Sequence, residues 1–148
     1  MVQRATQSIV VAAAPFAVYS VVVDFDRYRE WVADLKSIEV LERDADGRAL
    51  EVAFRAAAFG RSAKYELRYD YSLAPATLRW RQTRGDVVDT MNGAYHFRTG
   101  PSPHTTEVTY DLEVALAVAV PQFIQARAAS RIQRHALVEL KNRVEVLA

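Results

Sequence analysis

The chain of 148 residues is 51% hydrophobic and 25% charged, which is typical of one globular domain that can bury its own core. Lys and Arg number 19 against 18 Asp and Glu, so the net charge of +1 gives no electrostatic case for binding nucleic acid. Without cysteine there is no disulfide, thiolate metal site or cysteine nucleophile, and no apolar run is long enough to span a membrane.

We therefore expect a single domain over residues 1–148 with no integral membrane segment. The first residues lack the basic region and apolar core of a secretory signal, which predicts a cytoplasmic protein. No pattern in the sequence indicates a particular oligomeric state.

The first segments predict one strand followed by two short helices. Residues 7–11 are rich in strand-forming side chains, and Pro15 then opens a helix, because proline is tolerated in a first turn. Asp26 is placed to cap a second short helix that carries Tyr28 and Trp31. This order predicts a connection that crosses the end of a sheet.

From residue 38 onward the apolar residues recur with a period of two, which predicts β-strands. Six such segments follow, separated by turn signals at residues 44–47, 60, 75, 85–86 and 100–103. In the clearest of them, Ala63, Tyr65 and Leu67 share one face, opposite Lys64 and Glu66. This alternation predicts an antiparallel sheet with one solvent face and one covered face.

The last 27 residues, after Pro121, contain no glycine and no further proline, which predicts a helix about 35–40 Å long that covers the sheet. The side chains of its inner arc change along its length. Large apolar residues occupy the C-terminal part: Ile132, Leu137, Leu140, Val144 and Leu147. Short or polar residues occupy the N-terminal part: Gln122, Gln125, Ala128 and Ala129. The helix should therefore pack closely at its C-terminal end and leave space at its N-terminal end.

The sheet face beneath this space is unusually aromatic. Trp80 falls on the apolar face together with five of the seven tyrosines: Tyr65, Tyr69, Tyr71, Tyr95 and Tyr110. Each buried hydroxyl or indole N–H needs a hydrogen-bond partner, which Gln82, Gln125, water or a ligand could supply. We predict a cavity between sheet and helix; the alternative is that the rings fill the space themselves.

The predicted ligand-binding side chains come from the sheet and from the last helix. They are Phe54, Arg61, Tyr65, Tyr69, Trp80, Gln82, Met91, Tyr95, Gln125, Ala128, Ala129 and Ile132. Arg61, at a strand end, could bind an anionic headgroup or carboxylate; the alternative for it is an exposed position in solvent.

Asp89 is the best candidate for a catalytic base, because it shares the strand face of Met91 and Tyr95 near the expected cavity mouth. The alternative is a solvated aspartate at a hairpin end. The three histidines are dispersed, none pairs recognisably with a carboxylate in the sequence, and we expect a surface role for each. No metal-ligand or cofactor motif is present, so we predict neither a metal nor a cofactor.

The order of one strand, two helices, six strands and a long helix resembles the helix-grip fold of START-like and birch-pollen-allergen-type proteins. Residues 9–19, 24–31, 37–41, 93–97 and 106–114 are similar to the polyketide cyclase/dehydrase branch, near the coenzyme Q-binding proteins. Arg29 stands where relatives usually have the proline of a Tyr-Pro-x-Trp motif. The resemblance implies an α+β fold in which a curved antiparallel sheet of about seven strands wraps a long C-terminal helix.

We accordingly expect binding, with transport or sequestration, of a hydrophobic small molecule such as a lipid, quinone or polyketide. One alternative is a polyketide cyclase or dehydratase that uses the same cavity. Another is a protein-interaction module, as in the ribosome-association toxins of the superfamily. The basic outer face of the last helix, with Arg127 and Arg131, could meet an acidic carrier protein or anionic lipid, or could simply be solvated.

Overall fold

The alternating segments form seven antiparallel strands of one sheet in the computed structural model, which describes residues 2–58 and 60–148. The strands are β1 Gln3–Val11, β2 Leu35–Arg43, β3 Ala49–Ala58, β4 Arg61–Asp70, β5 Thr77–Gly85, β6 Val88–Thr99 and β7 Thr106–Leu116. Their spatial order is β1-β7-β6-β5-β4-β3-β2. Consecutive hairpins therefore lead from β2 to β7, and β1 pairs with β7 at the far edge.

Two short helices connect β1 to β2, as predicted. Helix α1, Pro15–Val22, begins with proline and buries Val18 and Val22, and a 3-10 helix follows at Phe25–Glu30. The predicted cap at Asp26 is wrong, because the 3-10 helix begins at Phe25 and Asp26 lies inside it. The Asp26 carboxylate instead forms an exposed ion pair with Arg43 of β2, at 3.2 Å.

The long helix α2, Gln122–Leu147, lies on the inner face of the sheet. It packs mainly against β1, β7 and α1, and its buried side chains recur every three or four residues. These side chains are Gln125, Ala129, Gln133, Leu137, Leu140 and Val144. Leu147 was expected in the core but is 59% exposed, because it lies one turn beyond Val144, the last buried residue of the helix.

Gln133 joins α2 to both strands beneath it. Its side chain is fully buried, and its amide nitrogen donates to the carbonyls of Ala5 in β1 (2.8 Å) and Tyr110 in β7 (2.9 Å). Two turns further along the helix, the ammonium group of Lys141 donates to the carbonyl of Val10, at 3.1 Å. The helix is therefore fixed over one edge of the sheet. Among the described residues, no helix is long and apolar enough to cross a bilayer.

Replacing Gln133 with alanine should destabilise the protein by about 2–3 kcal/mol, because it removes two buried hydrogen bonds and leaves a cavity. Gln122→Ala, the same change at an exposed position of the same helix, should stay within about 0.5 kcal/mol of the wild type. Urea unfolding followed by circular dichroism measures both. Equal effects of the two substitutions would contradict the role of Gln133.

Candidate functional site

A cavity of about 810 Å³ lies between the inner face of the sheet and the N-terminal half of α2. It exists because α2 packs over β1 and β7, which leaves the inner faces of β3–β5 without α2 above them. On the helix side the walls include the small or branched side chains of Ala128, Ile132 and Ala136. The 3-10 helix and the segment before β2 close one side with Tyr28 and Trp31.

Nine of the thirteen side chains singled out in the sequence line this cavity. They are Phe54, Arg61, Tyr65, Tyr69, Trp80, Met91, Tyr95, Ala128 and Ile132. Arg61 is exposed at the rim, and Tyr69, Trp80 and Met91 are buried in the floor. The remaining four, Gln82, Asp89, Gln125 and Ala129, do not line it.

The two glutamines bond to nearby backbone instead of to the cavity. The amide nitrogen of Gln82 donates to the carbonyl of Val88, at 2.8 Å, and that of Gln125 donates to the carbonyl of Val120, at 3.2 Å. They therefore hold the β5–β6 turn and the start of α2, respectively. Ala129 is 1% exposed and packs in the core beside the cavity-lining Ala128.

Asp89 is exposed and points away from the cavity lining, because the β6–β7 register shifts between Val88 and Thr90. Such a bulge changes the face on which the following residues lie. Val88 takes the buried position that lines the cavity, and regular alternation resumes at Met91. The structure therefore gives Asp89 no contact with a molecule held in the cavity.

The floor of the cavity is a cluster of aromatic rings. The ring centres of Tyr95 and Tyr110 lie 4.8 Å apart, and Trp80 lies 5.2 Å from Tyr95 and 5.6 Å from Tyr110. A methyl group at Gly93 would come within 2.6 Å of the Trp80 ring. Glycine at this position of β6 therefore allows the indole to lie flat against the strand.

Several polar groups of this floor have no hydrogen-bond partner. Trp80 is 7% exposed, and its indole N–H is buried without an acceptor in the part of the chain that the structure describes. Within the same residues, no partner bonds to the hydroxyls of four tyrosines: Tyr65, Tyr69, Tyr95 and Tyr110. By contrast, the hydroxyl of Tyr71, outside the cavity, donates to the carbonyl of Ala49 at 2.7 Å.

Burial keeps these tyrosines neutral. Desolvation raises the pKa of Tyr65 to about 12 and holds the pKa values of Tyr69, Tyr95 and Tyr110 above the ordinary range. At neutral pH the floor therefore offers uncharged hydroxyls that can donate or accept a hydrogen bond, and not phenolate bases.

Three contacts fasten the segment of residues 30–34 to α2 across the mouth of the cavity. Nδ1 of His135 lies 3.8 Å from Oδ2 of Asp34, the N–H of Ala33 donates to Glu139 (2.9 Å), and Arg143 donates to Glu30 (2.7 Å). The helix residues are spaced four apart and so share one face.

A second histidine, His96, also lies beside a carboxylate. On the outer face of the sheet, Nε2 of His96 lies 2.9 Å from Oδ2 of Asp111. Neither pairing follows from the sequence, because each joins residues that are distant along the chain.

Basic side chains surround the mouth. Lys36, Arg61, Arg127 and Arg131 all line it, and none forms an ion pair within the described residues. The charge pattern of the sequence predicted Arg127 and Arg131 on the outer face of the helix. One continuous stripe of α2 lines the cavity, at positions 124, 127, 128, 131, 132 and 135. These positions have helical spacing, so a helical projection centred on Ala128 would have identified them.

Residues 2–145 match the family described as polyketide cyclase/dehydrase and lipid transport. Comparison with curated proteins finds no match. Among solved structures, a START superfamily protein from Mycobacterium smegmatis is 24% identical with a TM-score of 0.90, covering 98% of this chain and 99% of that one. The Zhui aromatase/cyclase from a Streptomyces species is 16% identical with a TM-score of 0.84, covering 98% and 94%.

The structure of Ara h 8.0201 is 10% identical with a TM-score of 0.74, and the match covers 99% of each chain. At these identities the likeness shows the fold alone. It confirms the helix-grip fold and the seven-stranded sheet that the sequence predicted.

Raising the pH above about 10 should destabilise the protein, because an unfolded tyrosine ionises near that pH. Folded Tyr65 keeps its proton up to a pKa of about 12, so the folded state holds protons that the unfolded state releases. The contribution of Tyr65 to the free energy of unfolding is intact below pH about 10 and is lost as the pH rises towards 12. Thermal unfolding by circular dichroism should show a falling Tm over this range, and a shallower fall for Tyr65→Phe. A Tm that does not change with pH would contradict this expectation.

Proposed function

The chain belongs to the polyketide cyclase/dehydrase and lipid transport family, and we propose that it binds a hydrophobic small molecule bearing carbonyl or hydroxyl oxygens, such as a polyketide, quinone or lipid. The observation that carries this proposal is a cavity whose largely apolar lining includes four tyrosines, Tyr65, Tyr69, Tyr95 and Tyr110. The cavity volume of about 810 Å³ also falls within the range of about 300–1,000 Å³ that small-molecule pockets occupy.

The chemistry of the floor favours an oxygen-bearing ligand over a plain hydrocarbon. The buried indole N–H of Trp80 has no surface open to the cavity, so it does not select the ligand. The free tyrosine hydroxyls around it can bond to either a carbonyl or a hydroxyl. A hydrocarbon would leave these groups desolvated and unpaired, at about 1–3 kcal/mol for each group.

Affinity would come mainly from the apolar part of the ligand. Phe54, Leu67, Val88 and Met91 line the cavity beside the aromatic rings. Each Å² of apolar ligand surface removed from water contributes about 25 cal/mol, and the polar groups then fix the orientation of the ligand.

The first test is to purify the protein natively, extract it with organic solvent and identify the released molecules by mass spectrometry against a mock preparation. A stoichiometric hydrophobic molecule with carbonyl or hydroxyl oxygens supports the proposal. An extract without one, together with no binding of a hydrophobic dye such as anilinonaphthalene sulfonate, would refute it.

Ala128→Phe should weaken binding of anilinonaphthalene sulfonate by about tenfold or more, equivalent to about 1.4 kcal/mol, because the ring fills cavity space. Ala126→Phe is the matched control, since Ala126 is exposed on the same helix and does not line the cavity. Dye fluorescence titrations measure both. If both variants bind the dye as the wild type does, the dye site lies elsewhere and this cavity is not the binding site.

A second candidate function is cyclisation or dehydration of a bound polyketide-type substrate, and the position of His135 favours it. Its imidazole lines the cavity, and its Nδ1 lies 3.8 Å from the Asp34 carboxylate, which is longer than a hydrogen bond. The imidazole would remove an acidic proton beside a carbonyl, and a neutral tyrosine hydroxyl would donate to the enolate oxygen that forms. Asp89 does not line the cavity and is therefore the weaker candidate for this role.

If the protein is such an enzyme, His135→Asn should lower turnover of a thioester-linked poly-β-ketone by about 10²–10⁴-fold and leave its binding nearly unchanged. His104→Asn is the control, because His104 is an exposed loop residue with a positive φ that asparagine tolerates. Product formation followed by chromatography separates the two functions. No turnover by the wild type, or equal turnover by both variants, would exclude His135 as the base.

A further inference from the structure

We propose that the start of α2 and the loop before it form a docking surface for an anionic lipid membrane. The docking surface consists of the exposed side chains of Val118, Phe123, Ile124, Arg127 and Arg131. The inference is independent of which molecule the cavity holds, since it rests on charge and exposure outside the cavity floor.

The charge of this part of the chain is one-sided. Residues 114–138 contain no aspartate or glutamate, and they contain Arg127, Arg131 and Arg134. Because the whole chain has a net charge of +1, the remaining residues have a net charge of −2. None of the three arginines forms an ion pair within the described residues, so their guanidinium groups are available to lipid phosphates.

Apolar side chains project from the same end. Seven of the eight residues from 117 to 124 are exposed. They include Val118 at 45%, Phe123 at 64% and Ile124 at 40% exposure. Leaving three large apolar side chains of one short segment in water is unfavourable, and insertion into a bilayer interface would bury them.

The order of residues along the helix suits a membrane interface. Phe123, Arg127 and Arg131 follow one another at intervals of four and therefore lie along one side of α2. The apolar end would enter the region between headgroups and acyl chains, while the arginines one and two turns behind it would meet the phosphates. Ile124, Arg127 and Arg131 also line the cavity mouth, so this mouth would open towards the membrane.

A membrane fits these features better than an acidic protein does. A stable protein complex needs a complementary surface and buries about 800 Å² on each partner. A bilayer supplies hydrocarbon and negative charge at adjacent depths without such a match.

The test is co-sedimentation of the whole protein with vesicles made of equal parts phosphatidylcholine and phosphatidylglycerol, compared with vesicles of phosphatidylcholine alone. We expect binding to the anionic vesicles that weakens as salt is added. Each arginine at a membrane surface contributes about fivefold, so Arg127→Glu/Arg131→Glu should lower the partition coefficient by more than about 25-fold. Phe123→Ser should lower it by about tenfold.

Two control variants make the same chemical changes at positions outside the docking surface. Arg81→Glu/Arg98→Glu makes the same change in net charge at exposed residues of β5 and β6, and Phe16→Ser removes a phenylalanine of 66% exposure from α1. Both controls should bind anionic vesicles as the wild type does. Thermal unfolding of all variants checks that they fold.

The proposal is overturned if the wild type binds neither kind of vesicle, or if the controls lose binding as much as the docking-surface variants. It is also overturned if the docking-surface variants keep their vesicle binding but lose binding to an acidic acyl carrier protein, which would make this a protein-docking surface. None of these outcomes affects the cavity proposal, because the dye titration of Ala128→Phe uses a soluble probe and no membrane.

Discussion

The attachment of α2 to the β1–β7 edge of the sheet determines where the rest of the structure lies. Gln133 bonds to both strands, and Leu140 and Val144 pack beside them, so the helix cannot move to the centre of the sheet. A seven-stranded sheet is much wider than one helix. The inner faces of β3–β5 must therefore meet either large side chains or empty space, and the small side chains of Ala128 and Ala136 leave the space.

That space is not sealed off from water. Its mouth opens to solvent and its lining carries polar groups, so water can enter it. Water or a ligand must occupy it. The hydroxyls of Tyr69 and Tyr110 are consistent with this, because both residues line the cavity and each hydroxyl needs a hydrogen-bond partner.

The sequence predicted the fold and most of the cavity floor, because both follow from local periodicity: strand alternation puts Tyr65 and Trp80 on the inner face wherever pairing is regular. The prediction from strand alternation failed where one extra residue interrupts the strand pairing. The bulge before Met91 turned Asp89 outward, and no local pattern announces such a bulge. The sequence also did not predict contacts between distant segments, such as that of His135 with Asp34, which depend on how far α2 lies from the 3-10 helix.

Because α2 lies over one edge of the sheet, the residues that stabilise the fold are largely different from those that shape the cavity. Residues that hold the helix lie in β1 and β7, whereas much of the cavity wall lies in β3–β5. Substitutions such as Tyr65 to a smaller residue would reshape the wall without loosening the helix. A scaffold divided in this way can acquire new ligand specificities by mutation while most of its folding free energy is preserved, which makes it readily evolvable.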